Sequence, residues 1–266
     1  MLDVEALERL AKIFKERGLP MDAVDDMVAL FNYQDSPGQE LLFELLSNFE
    51  VCEFDQYKVK GRALAQAMVD AQPPEFSKVI LMPVLDKLPA SKSKSGDAVA
   101  WVMSRSLKSV AAASGRAFDM ASQTISAEIM ACASGTSFFL VDDYIGSGKT
   151  AHFAVSRLLD QGVAAENITV GAFVGMGAAE ELLAPTGVRT VFLSKLLKGI
   201  SDAPGIVDKK SALNVMGHME RRMKIRSRYR LGYERSEALA LMCFCPNNTF
   251  PVFWWKGPTW TGVFER

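Results

Sequence analysis

Apolar residues recur at helical spacing from the N-terminus to about residue 71. Val4, Leu7, Ala11 and Phe14 share one face of a first predicted helix, and Gly18 closes it. Val24, Met27, Val28 and Phe31 form a second stripe. Ser36-Pro37-Gly38-Gln39 has the spacing of a capping box and opens a third helix through Leu42, Leu45, Leu46 and Phe49. A fourth spans about 58–71 and is closed by Pro73-Pro74. Such a block either packs on the chain that follows or mediates association with a protein partner or a second copy. The pattern leaves both open.

From Phe76 the pattern changes to short apolar runs alternating with amphipathic stretches. Val79-Ile80-Leu81-Met82, ending at Pro83, suits a strand buried on both faces. A polar, lysine-rich segment (87–96) and an apolar helix (97–112) follow. Residues 138–141 form the next buried strand, then a helix with Ala151, Val155, Leu158 and Leu159 on one face, ended by Gly162. Ile168-Thr169-Val170 opens another strand, 178–183 a helix, and 188–193 a further strand. This alternation predicts an α/β fold with a Rossmann-like, mostly parallel sheet and right-handed crossovers. Further on, 212–223 reads as a helix with Met216, Met219 and Met223 as its stripe, and 238–242 as a strand. An aromatic tail ends the chain. The expected domains are an N-terminal helical region, 1–74, and an α/β domain, 75–266, that includes the tail.

Hydrophobic residues make up 49% of the 266 positions and charged residues 23%, as in ordinary folded proteins. The net charge of −1 gives the whole molecule no pull toward nucleic acid or membranes. No apolar run reaches the roughly eighteen residues a membrane span needs. Cys52, Cys132, Cys243 and Cys245 form no CxxC pair, and the chain has two histidines, so no structural zinc site and no protein metal cluster is expected. A reduced, cytoplasmic protein is the default.

The chemistry concentrates in residues 138–150, FFLVDDYIGSGKT. A buried strand brings the adjacent carboxylates Asp142 and Asp143 to the sheet's carboxyl edge, where ligands bind in open α/β sheets. Gly146, Ser147 and Gly148 then make a tight turn into a helix starting near Lys149. Backbone N–H groups of that turn and the helix N-terminus can converge on one anion, with Ser147, Thr150 and Lys149 adding donors. A phosphate seat beside two diol-accepting carboxylates suits ribose 5-phosphate. GSGKT also ends many P-loops, but that pattern requires glycine where Asp143 stands, and an acid there would repel the phosphates.

The segment resembles the phosphoribosyl-diphosphate signature of the type I phosphoribosyltransferases: an apolar strand, two acids, three variable residues, then Ser/Thr-Gly-x-Thr. The resemblance implies the type I phosphoribosyltransferase fold, with the N-terminal helical block and a C-terminal hood or tail added. It assigns Asp142 and Asp143 to the ribose hydroxyls, and Gly146, Ser147, Gly148, Lys149 and Thr150 to the 5-phosphate. It also implies a pyrophosphate loop after an early strand. Pro83 and Val84 are its counterpart here, with Lys92 and Lys94 close behind; a strand-ending proline and a plain solvated loop are the competing readings. Mg²⁺ would arrive on the substrate diphosphate. The 6-oxopurine enzymes carry an aspartate base where this chain has Gly146, so the resemblance does not extend to hypoxanthine or guanine salvage. From about Phe76 to the C-terminus, SKSGD (93–97), DDYIGSGKT and CPNNTFPVFW (245–254) are similar to a phosphoribosyltransferase-like family of prokaryotic conflict and antiphage gene clusters.

Two functions follow from the resemblance. One is an enzyme that transfers the phosphoribosyl group or breaks down a nucleotide or phosphoribosyl diphosphate, as an antiphage defence effector. The other is a non-catalytic, nucleotide-sensing module on the same fold. In the tail, Asn247, Asn248, Phe253, Trp254, Trp255 and Trp260 either select an acceptor or seal a core or contact, the second being the commoner use of such residues. The run 221–230 holds six cations; it reads as a solvated helix end, too small a patch for a nucleic-acid partner.

Overall fold

The computed structural model describes residues 1–73, 75–85, 95–121, 135–257 and 260–266. The chain divides into two compact units, Phe54–Lys195 in one and Met1–Glu53 with Leu196–Arg266 in the other. The boundary expected at 74–75 therefore falls inside the first of these.

The discontinuous unit gathers helices α1 (Val4–Arg17), α2 (Val24–Tyr33) and α3 (Ser36–Leu46), strand β1 (Glu50–Val51) and the C-terminal part of the chain. Asp3 caps α1 by accepting from the Ala6 N–H at 2.9 Å, and Gly18 ends it in a left-handed conformation. The buried stripe of α1 is Leu10, Ile13 and Phe14; Val4 and Leu7, placed on that stripe by spacing, are exposed. Asp35, not Ser36, caps α3 through the Gly38 N–H. Gln39 reaches back to the Phe31 and Gln34 carbonyls, so no reciprocal capping box forms. The C-terminal helix Lys209–Arg222 buries Met216 and Met219 in the same core, with Met223 just beyond its end. The expected strand at 238–242 is a two-residue element, Ala240–Leu241, paired in parallel with β1. Phe253 and Trp254 of the tail are core residues, Phe253 edge-on to Phe49 at 5.0 Å.

The continuous unit opens with α4 (Tyr57–Asp70) and carries the sheet. Its strands are β2 (Lys78–Pro83), β3 (Ala117–Met120), β4 (Thr136–Ile145), β5 (Ile168–Met176) and β6 (Arg189–Leu196), in the order β3-β2-β4-β5-β6. The pairings β2–β3, β2–β4 and β4–β5 are parallel. Connecting helices are α5 (Ser95–Ala113), α6 (Lys149–Asp160) and α7 (Gly177–Leu183). Ile80, Met82, Phe138, Leu140, Ile168 and Val170 pack on one face against Ala151, Val155 and Leu158 of α6 and Leu183 of α7. Strand alternation sends Phe139, Val141 and Phe173 to the opposite face, where α4 and α5 lie side by side. From β2 the chain first builds outward to β3, then returns to build β4, β5 and β6 on the other side. The reversal lies between β2 and β4, and that is where an open α/β sheet opens a crevice at its carboxyl edge.

Candidate functional site

That reversal is where the sequence-predicted acids stand. The last β2–β4 pair joins Pro83 to Val141, so Asp142 and Asp143 emerge just past the end of β2. They do not end their own strand: β4 stays paired with β5 through Ile145. Neighbours on a strand point to opposite faces, and the two carboxylates are accordingly set differently. Asp142 is half-buried; its Oδ1 accepts from Ser95 Oγ at 2.6 Å and from the Asp143 N–H at 2.9 Å. Asp143 is buried, and its Oδ2 accepts from the Tyr57 hydroxyl at 2.6 Å. Burial, reinforced by the adjacent Asp143 charge, pushes the Asp142 carboxyl well above the usual carboxylate range.

Ser95 reaches Asp142 because the first turn of α5 sits directly on the strand ends. A Cβ at Gly96 would lie 2.9 Å from the Val141 carbonyl and 3.1 Å from the Val84 nitrogen, an approach open only to glycine.

Behind the acids the chain bends at 146–148. Gly146 and Gly148 are buried, Ser147 is half-buried, and Lys149 and Thr150 are exposed at the start of α6. Gly148 has φ +74°, and a Cβ there would meet the Ala179 Cα at 2.9 Å, so the bend is packed against α7. Gly148 is the N-cap of α6 and supplies no side-chain acceptor to the first-turn N–H groups. Those groups are the ones an anion at this bend would engage.

The pyrophosphate-loop residues fare differently. Pro83 has no N–H, and the Val84 N–H donates to the Val141 carbonyl at 2.9 Å, continuing the ladder. Neither backbone presents a donor. Lys92 and Lys94 lie outside the described residues. Among the acceptor-selecting candidates, Asn248 is buried and its amide donates weakly to the Tyr233 carbonyl at 3.4 Å, and Trp254 donates to the Thr249 carbonyl. Among the described residues no group of three or more His, Cys, Asp or Glu side chains can hold a metal ion. Any Mg²⁺ at this site would take its ligands from a bound diphosphate and water.

Sequence reasoning did not find Tyr57, which precedes Asp143 by 86 positions. Ser95 was visible only as a member of SKSGD.

No helix among the described residues is long and apolar enough to cross a membrane. Comparison with curated proteins gives no match. Among solved structures, the adenine phosphoribosyltransferase of Giardia lamblia complexed with 9-deazaadenine is 15% identical, with a TM-score of 0.36, over 54% of this chain and 84% of that one. The orotate phosphoribosyltransferase of Aeropyrum pernix is 19% identical with a TM-score of 0.36, over 61% and 76%. The adenine phosphoribosyl transferase of Trypanosoma brucei, in complex with AMP, pyrophosphate and ribose-5-phosphate, is 13% identical with a TM-score of 0.30, over 56% and 70%. These likenesses are distant, and the assignment rests on a family model. That model, PRTase-CE, matches residues 24–266, nearly the whole chain, and the protein therefore belongs to the PRTase-CE family.

Proposed function

We propose that the site binds a ribose 5-phosphate compound, either phosphoribosyl diphosphate or a nucleotide, and turns it over at the anomeric carbon. The observation that carries this reading is the placement of two carboxylates and an uncapped glycine bend together at the sheet's reversal point. The Asp142 and Asp143 carboxyl groups lie close enough to hydrogen-bond each other, and together they receive the ribose 2′ and 3′ hydroxyls. The backbone of 146–150, with the Ser147 and Thr150 hydroxyls and the Lys149 charge, seats the 5-phosphate. Holding the sugar at both ends stabilises an oxocarbenium-like transition state by position and electrostatics. Mg²⁺ bound with a diphosphate would neutralise charge on the departing pyrophosphate.

Isothermal titration of the protein with ribose 5-phosphate, phosphoribosyl diphosphate and AMP in Mg²⁺, with product analysis, tests the reading. Asp142→Asn/Asp143→Asn abolishes binding and turnover if it is right, and leaves them unchanged if it is wrong. Gly146 favours a second reading, ligand sensing without turnover, because this loop offers no carboxylate base at that position. Saturable binding with no product over hours distinguishes it. A role as a defence effector predicts reduced phage plating on cells expressing the chain, lost in the double variant.

A further inference from the structure

We propose that Tyr57 is a positioning residue of this site, its hydroxyl fixing the Asp143 carboxylate in the orientation that receives a sugar hydroxyl. The inference rests on the ribose 5-phosphate reading and adds to it a residue far outside the strand–bend–helix segment.

The hydroxyl has almost no freedom. Tyr57 is 1% exposed, and its ring is edge-on to Phe173 at 5.1 Å and tilted against Phe54 at 5.4 Å. Its 2.6 Å bond to Asp143 Oδ2 has the length of a charge-assisted O–H to carboxylate bond.

The helix that delivers it is fastened at the other end as well. Just past the end of α4, the Gln72 amide donates to Thr169 Oγ1 at 2.6 Å, and Ser137 Oγ donates to Gln72 Oε1 at 2.9 Å, all three residues buried. From Tyr57 to Gln72 the helical rise is about 22 Å. From Asp143 back to Ser137 the strand rise is about 20 Å. The helix thus lies along β4 with a polar clasp at each end. Gly171 lets it come close, since a Cβ there would stand 2.4 Å from the Met68 sulfur.

The Tyr57 hydroxyl holds Oδ2, and the clasp at Gln72 holds the helix that carries it, so the carboxylate is presented to a ligand in one orientation. Without the Tyr57 hydroxyl the buried Asp143 carboxylate loses this donor, and is free to turn away from the sugar.

The test compares wild-type protein with Tyr57→Phe, titrating each with ribose 5-phosphate and, separately, inorganic phosphate. The expected result is a loss of roughly tenfold or more for ribose 5-phosphate, with inorganic phosphate affinity unchanged and a displaced Asp143 ¹³Cγ resonance. Equal loss for both ligands would assign Tyr57 to packing alone and overturn the proposal. Unchanged ribose 5-phosphate affinity, with Asp143→Asn still defective, would overturn it while sparing the site. Absence of ribose 5-phosphate binding by the wild type would remove the site reading and this proposal together. Should Tyr57→Phe not fold, Phe173→Leu, which loosens the ring but keeps the hydroxyl, carries the same comparison. A selective loss for ribose 5-phosphate supports the proposal, and an equal loss overturns it.

Discussion

Glu220 is a fully buried carboxyl in the discontinuous unit, and its titration should be visible in the protein's stability. Its Oε1 accepts from the Leu231 N–H at 2.7 Å, and its Oε2 is buried with no hydrogen-bond partner. Burial raises its pKa from 4.5 to about 7, against the opposing pull of the Leu231 N–H and of Arg230, Arg235 and Arg221. A folded-state value above the unfolded one means the native state binds the proton more tightly. The contribution is therefore complete below about pH 4.5 and lost as pH rises through about 7. A displacement from 4.5 to about 7 amounts to about 3 kcal/mol. Glu220→Gln keeps the acceptor for Leu231 and removes the charge. Its new amide lacks an acceptor, which costs about 1 kcal/mol. The variant should thus match the wild type to within that cost near pH 5 and exceed it by about 2 kcal/mol near pH 8. Urea unfolding followed by tryptophan emission reads this unit, which holds Trp254, Trp255 and Trp260. Parallel pH profiles, or a variant weaker at every pH, would show that Glu220 does not set this pH dependence.

Asp142→Asn should likewise raise the melting temperature at neutral pH while weakening ribose 5-phosphate binding. The elevated carboxyl pKa of Asp142 makes its ionised form a cost that grows with pH; thermal melts from pH 5 to 8 check this, and a lower melting temperature at pH 8 contradicts it. Gly148→Ala forces a side chain into a φ of +74° and against Ala179. It should destabilise by about 1–3 kcal/mol and weaken inorganic phosphate binding, as measured by melts and titration. Gln72→Leu strips the polar partners from Thr169 and Ser137. A loss of about 1–3 kcal/mol is expected by chemical denaturation.

The bend and the acids were legible because their chemistry is local: a buried strand, two carboxylates and two glycines stand within thirteen consecutive residues. The central strands were legible from their unbroken apolar runs. What the pattern hid was non-local or marginal. Ala117–Met120 is a four-residue edge strand with three exposed side chains, so it carries no apolar run. Asp142-Asp143 looked like a strand end because charge normally marks one, whereas β5 pairing carries β4 on to Ile145. The exposure of Val4 and Leu7 shows that an apolar stripe does not say which of its edges is covered; here the cover falls on Leu10, Ile13 and Phe14. The return of the C-terminal part to the N-terminal helices depends on pairings such as Glu50 with Ala240, which no local pattern encodes.

The account is tested most directly by a crystal structure of the protein soaked with ribose 5-phosphate. It predicts the phosphate on the backbone N–H groups of residues 146–150 and the 2′ and 3′ hydroxyls on Asp142 and Asp143. Sugar phosphate bound elsewhere, or an empty bend at saturating ligand, would contradict it.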